Sequence, residues 1–411
     1  MIKTEKEYKS KLLILAGTVI AQIGLGTIYT WSLFNQPIAD KFGWQLSKVA
    51  VAFSITSFAL AFSTLFAGKI QDKIGIRKLV TFAGIILGLG LILTSKANSL
   101  GMLYLTAGVI VGAADGIAYI TVLSNCIKWF PEKKGVISGI SVGAYGVGSL
   151  IFKYINSYVI GSKGFTFAFL CWGIIAFILI SGGAQLLKDA PDAKPVSDAK
   201  SEVRNYTPAQ MLKKKEAYLL FIIMFTACMS GLYLIGIVKD IGVQLAGLNP
   251  AVAANAVAMV AIFNTSGRII LGALSDKVGR LKVVLFGLIV TAVSMFIMDT
   301  VHMNFGIFFA CVAAVAFCFG GNITVFPAIV GDFFGLKNHS KNYGIIYQGF
   351  GIGALSGSII AGIAGSFKAT FVVIGIMCLI SIVIALTIKM PQEEIAKERT
   401  SRITGLTEKT V

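Results

Sequence analysis

Gly68-Lys-Ile-Gln-Asp72-Lys73-Ile-Gly75-Ile-Arg77-Lys78 is answered 204 residues later by Gly272-Ala-Leu-Ser-Asp276-Lys277-Val-Gly279-Arg280-Leu-Lys282. Glycine, aspartate, lysine and the second glycine recur in register. Tyr29 and Tyr233 share that offset, and Gly146-Val-Gly148 matches Gly351-Ile-Gly353 at 205. A near-constant spacing across three regions marks a parallel internal repeat. Each copy lies between two apolar stretches. Working outward from them gives spans at 12–36, 48–70, 79–96, 102–127, 136–160, 165–187, 217–238, 252–273, 283–300, 305–330, 343–364 and 369–389. The expected fold is an all-α polytopic membrane protein with twelve transmembrane helices in two pseudo-symmetric six-helix bundles. The bundles cover 1–187 and 217–389, joined by a hydrophilic linker at 188–216 and followed by a tail at 390–411.

Composition excludes the other classes. Apolar residues are 56% of the 411, charged residues only 13%, and 45 glycines add to the apolar share. Neither a soluble enzyme nor a disordered chain has this balance. A net charge of +17 would suggest nucleic acid in a soluble protein. Here its placement is topological. With both termini in the cytoplasm, inside segments hold 28 Lys/Arg and outside segments six, the bias that fixes orientation in a plasma membrane. The first span follows four lysines and lacks a small-residue cleavage site, so it reads as retained. The six cysteines fall in apolar runs without paired spacing, and His302 and His339 stand apart, so no metal or cofactor is expected. Gly143-Ala-Tyr-Gly146-Val-Gly148 lies within an apolar span with no preceding strand, which argues against a nucleotide loop. Small residues at that spacing suit close helix packing instead.

The two G-x-x-x-D-[RK]-x-G-[RK] loops resemble the signature of the major facilitator superfamily. Within it, Gly26-Thr-Ile-Tyr29-Thr-Trp31-Ser-Leu-Phe34, Asn125-Cys-Ile-Lys128-Trp129-Phe130-Pro131-Glu-Lys-Lys134-Gly135 and Asn264-Thr-Ser-Gly267-Arg268 resemble the oxalate/formate antiporter family. Phe333-Phe334-Gly335-Leu336 and Asn342-Tyr343-Gly344 add to this, and the overall run is similar to that family's enterobacterial pyruvate:proton symporters. The resemblance implies binding of small carboxylates between the halves and rocker-switch alternating access. It also implies that the arginine of the eighth span binds the substrate carboxylate.

Arg268 has a physical reason of its own. It lies eight residues before Asp276, about 12 Å from that helix end at 1.5 Å per residue, deep in the hydrocarbon. A guanidinium there needs an anion or a wet cavity, and its planar fork fits a carboxylate. A structural partner, either a helix carbonyl or Asp115, is the other reading. Tyr29, Tyr119, Tyr145, Tyr233 and Tyr347 are expected to supply hydroxyls to the pocket, with Trp31, Asn264 and Gln348 as further lining; a tyrosine in a span also serves as core or interface belt. Oxalate-exchanging relatives pair the arginine with a lysine in span 11, and Tyr343-Gly-Ile-Ile-Tyr347-Gln348-Gly-Phe350-Gly-Ile-Gly353 has none. One deep cation suits a monoanion.

Asp115 is a candidate for proton coupling, because a desolvated carboxylate takes up and releases a proton, or else a partner for a buried cation. Lys153, near the outer end of span 5, is a second coupling candidate or a snorkelling side chain. Lys239-Asp240 closes span 7 as an outer ion pair or a solvated helix end. Gly68, Asp72, Lys73, Gly75 and Arg77, with Gly272, Asp276, Lys277, Gly279 and Arg280, are expected to form a cytoplasmic gate. There each carboxylate faces a helix N-terminus or a basic neighbour. The expected activity is secondary transport of a small monocarboxylate, pyruvate with a proton, by a monomer in the bacterial inner membrane. No catalytic constellation and no nucleic-acid partner are expected. An oxalate/formate-type exchanger and a transporter-fold carboxylate sensor are the alternatives.

Overall fold

The computed structural model describes residues 2–190 and 205–389. The first span is α1 (Ile2–Leu25), a 3₁₀ turn (Gly26–Thr30) and α2 (Ser32–Phe42). Then come α3 (Leu46–Ile74), α4 (Ile76–Thr94), and α5 (Leu100–Leu103), which runs through a π-helical stretch (Tyr104–Val111) into α6 (Gly112–Trp129). The helix α7 (Lys134–Gln185) holds two spans, folded at Gly164, whose φ of +80° breaks the helix. After the short α8 (Pro208–Met211), the second half comprises α9 (Lys215–Gln244), α10 (Pro250–Val278), α11 (Arg280–Thr300) and α12 (Phe305–Phe334). It closes with α13 (His339–Ile346), α14 (Gln348–Ala364) and α15 (Phe367–Thr387). Among the described residues there are twelve spans and no strand.

Several spans are less regular than apolar runs suggest. The first breaks where Gly26 lies against α7: a Cβ on Gly26 would sit 1.7 Å from the Tyr145 carbonyl oxygen. Only a glycine permits this approach. The tightened turn that follows is held by side chains. Thr27 and Thr30 hydroxyls donate to the carbonyls of Gly24 and Thr27, Trp172 Nε1 donates to Thr27 Oγ1 at 2.6 Å, and Asn156 Nδ2 to Thr30 Oγ1 at 2.9 Å. The eleventh span breaks at Tyr347, next to Gln348, whose amide reaches across to the Ala61 carbonyl on α3 at 2.7 Å.

Large apolar side chains face outward around the molecule, among them Phe82, Ile178, Val383 and Leu386. Such a girdle suits hydrocarbon, and helices satisfy their own backbone groups there. The chain is a multi-pass membrane protein. Its halves meet along two seams, α7 against α10 and α3 against α13 and α14. Both repeated loops lie at one end, called here the signature end.

Candidate functional site

Arg268 lies where the α7–α10 seam meets the interior, 2% exposed. The chain makes room for it with small residues: a Cβ on Gly320 of α12 would lie 2.1 Å from the Asn264 carbonyl oxygen and 3.2 Å from Arg268 Cγ. The guanidinium belongs to the second half but is anchored on the first, Nη1 donating to the Val142 carbonyl at 2.9 Å. Its Cζ stands 5.8 Å from the Tyr29 ring centroid and 5.9 Å from that of Tyr145. Its Nε is buried with no hydrogen-bond partner, and among the described residues no carboxylate pairs with it.

An aromatic cage continues from these rings. Tyr29 meets Tyr145 edge-on at 5.4 Å, Tyr145 meets Tyr119 at 5.5 Å, and Tyr119 meets Tyr347 at 5.5 Å. Tyr343 and Phe350 flank Tyr347 at 5.4 and 5.0 Å. The hydroxyls of Tyr119 and Tyr343 are buried without partners. Asp115, one turn before Tyr119 on α6, is fully buried. Its Oδ1 accepts from the Tyr145 hydroxyl at 3.2 Å, and its Oδ2 has no partner. Among the described residues this cage therefore holds one cation, one carboxyl and several idle hydroxyls on apolar walls, drawn from both halves. That suits a small anion with an apolar flank.

The other residues expected at this site make contacts of their own. Asn264 Nδ2 donates to the Ala316 carbonyl at 3.1 Å, tying α10 to α12. Gln348 bridges the α3 seam. Tyr233 borders a cavity of about 470 Å³ at the opposite end, with Gln244, Ser366 and Lys368, its hydroxyl buried and unpartnered. Lys153 is half-buried, with Nζ 5.9 Å from the ring of the exposed Tyr154. The side chains of Lys239 and Asp240 lie outside the described residues.

At the signature end each repeated loop grips the other half. Gly68 packs on Ser340 and Lys341 of α13, and Asp72 forms an ion pair with Lys341. Gly272 packs on Gly135 and Gly139 of α7. Asp276 accepts from the backbone N–H groups of Gly135 at 3.0 Å and Val136 at 2.9 Å, at the positive end of that helix. Arg280 then joins Asp276 at 2.8 Å to Asp332 at 2.6 Å, and Lys134 meets Asp332 at 2.8 Å. Lys73, Arg77 and Lys277 are exposed. Gly75 and Gly279 turn the chain with φ of +78° and +101°.

Sequence reading passed over Lys134, Asp332 and Lys341 as partners, and Tyr343 as a cage wall. Asp332 stands two residues beyond the run read as span ten, where a carboxylate looks like a solvated helix end. Tyr343 lay in a quoted motif and carried no sign of which way it faces.

The Major Facilitator Superfamily family model matches residues 14–270 and 220–409. The MFS-type transporter YhjX of Escherichia coli (strain K12) is 46% identical over 84% of this chain and 86% of its own length. The oxalate:formate antiporter of Oxalobacter formigenes is 28% identical over 91% and 90%. Monocarboxylate transporter 13 of Rattus norvegicus is 22% identical over 89% and 85%. Among solved structures, the Major Facilitator Superfamily transporter FucP in the outward conformation superposes with a TM-score of 0.70, covering 92% of this chain and 98% of FucP at 11% identity.

Proposed function

The chain belongs to the major facilitator superfamily, whose members are membrane transporters and not enzymes, and we propose that it carries small monocarboxylates, pyruvate first, together with a proton. The observation that carries this reading is the buried guanidinium of Arg268, with one nitrogen unpartnered and, among the described residues, no carboxylate paired with it. A buried charge without a counter-ion is costly, and an incoming carboxylate supplies one. Tyr29, Tyr119 and Tyr145 line the anion's apolar flank. Asp115 takes the coupling proton in preference to Lys153, since it is fully buried and linked to the cage through Tyr145. One proton carried with one monoanion moves no net charge, so an inside-negative potential does not oppose uptake.

In this reading the signature end faces the cytoplasm of a bacterial inner membrane, both termini lie inside, and the chain works as a monomer. Residues 1–187 and 217–389 rock about the central site, with 188–216 as linker. The stretches 191–204 and 390–411 lie outside the described residues. The repeated loops, with Lys134, Asp332 and Lys341, hold the cytoplasmic end shut. An oxalate/formate-type exchanger is the second reading, favoured by the similarity to the Oxalobacter formigenes antiporter. The lone cation of the cage speaks against a dianion.

The test is radiolabelled pyruvate uptake into proteoliposomes, with and without an inward proton gradient, for wild type and Arg268→Ala. Gradient-driven uptake that disappears in the variant is the expected result. Exchange of internal formate for external oxalate, with no pyruvate uptake by wild type, would replace symport with exchange.

A further inference from the structure

We infer that the Tyr145 hydroxyl is the element that couples proton to anion, by the direction in which its single hydrogen points. The inference rests on the anion site just proposed. Tyr145 stands between the two charges that matter: its hydroxyl is 3.2 Å from Asp115 Oδ1, and its ring is 5.9 Å from the Arg268 guanidinium. Both Tyr145 and Asp115 are nearly or fully buried, so solvent does not substitute for either partner.

A phenol has one hydrogen to donate and lone pairs to accept with. While Asp115 is ionised it only accepts, so it holds the Tyr145 hydrogen, and the tyrosine offers lone pairs to the cage. Lone pairs repel a carboxylate. Once Asp115 takes a proton from solvent, its own O–H donates to the tyrosine oxygen. The Tyr145 hydrogen is then free to turn to an anion seated on Arg268. Proton and anion thus load together, and linkage requires that each tighten the other. Protonation also removes the repulsion between two negative groups in a dry interior.

The surroundings leave Asp115 dependent on this one contact. Among the described residues, Tyr145 of α7 and Tyr29 of the 3₁₀ turn are the titratable groups that face it. From α3, Leu60 and Ser63 close on the neighbouring Gly116. Among the described side chains, α1 and α4 carry their ionisable groups only toward the signature end, and α13 brings Tyr343 and the adjoining Tyr347 to Tyr119 rather than to Asp115. Among the described residues no cation pairs with Asp115.

The experiment measures equilibrium binding of pyruvate to purified full-length protein at about pH 5.5 and about pH 8, a range over which pyruvate stays anionic. Wild-type affinity is expected to be about tenfold or more tighter at the lower pH, the worth of one hydrogen bond to a charged group. Asp115→Asn carries no charge and has an amide N–H to donate to the tyrosine oxygen, so its binding is expected to be tight and flat with pH. Tyr145→Phe removes the hydrogen alone, and its binding is expected to be weak and flat. Tyr29→Phe, whose ring packs on Tyr145 and which leaves the Tyr145 hydroxyl on Asp115, keeps the pH slope whatever its affinity, which separates cage damage from loss of coupling. A wild-type slope that survives in Tyr145→Phe overturns the inference. So does wild-type pyruvate binding that is flat with pH, though the anion site would stand. A slope seen with oxalate alone and lost in Tyr145→Phe supports the coupling and overturns the monocarboxylate reading. Wild type that binds neither pyruvate, formate nor oxalate overturns both.

Discussion

Arg268 serves two geometries with one side chain. In the closed interior it is tied through Nη1 to the Val142 carbonyl, which leaves its Nε edge free for a ligand. A lysine offers one ammonium point and has no planar fork with which to hold the carbonyl and a carboxylate together. Arg268→Lys is therefore expected to fold but to lose about tenfold or more in pyruvate affinity, the value of a charged hydrogen bond. Binding calorimetry with a melting-temperature control checks this; unchanged affinity would remove Arg268 from the site. Gly26 makes a separate prediction. The methyl of Gly26→Ala would meet the Tyr145 carbonyl at 1.7 Å, forcing α7 away from the first span. Overpacking of this kind costs about 1–3 kcal/mol, visible as a lower melting temperature with weakened pyruvate binding.

Between elements, the two cross-half clasps are unequal. Asp72 and Lys341 meet with the aspartate side chain 63% exposed, where an ion pair is worth at most about 1 kcal/mol. Asp332 is 3% exposed between Lys134 and Arg280, and removing one partner of such a buried set costs about 3 kcal/mol or more. Opening of the signature end is expected to respond accordingly. A cysteine placed at Ser138, which is buried on α7 at the seam, reports it in a background without the native cysteines. Asp332→Asn should speed its modification by a maleimide about a hundredfold, and Asp72→Asn by no more than about fivefold. Equal responses would mean that exposure does not rank the clasps.

Across the whole molecule, a bilayer admits few solutions, which is why the repeat and twelve apolar runs were enough to read the architecture. Arg268 was legible for the same reason: one charge in an apolar run is conspicuous. The tyrosines were not equally legible. In a helix that is apolar on every side, no periodic stripe reports its rotation, so Tyr119 and Tyr233 look alike in sequence. Only packing places one in the cage and the other at an end cavity. Asp332 was overlooked because its role depends on Lys134, 198 residues away along the chain. The transport reading has an expectation at this scale too. If one proton accompanies each monoanion, a pyruvate jump on a solid-supported membrane should give no current that persists with turnover. A sustained current would mean a different stoichiometry.

The π-helical stretch ahead of Asp115 acts as a phase shifter. A π turn takes in one residue more than an α turn, so side chains on either side of Tyr104–Val111 are out of step with a continuous α-helix. One residue is worth about 100° of rotation. Near the start of the stretch, Thr106 donates to the Met102 carbonyl and accepts from Thr94; beyond its end, Asp115 faces the cage. Deleting a single residue within 104–111 would restore α phase, and the two ends of this span could not both keep their bearings. The surplus residue works as an azimuth setting for the carboxyl, fixed some two turns away from the group it aims.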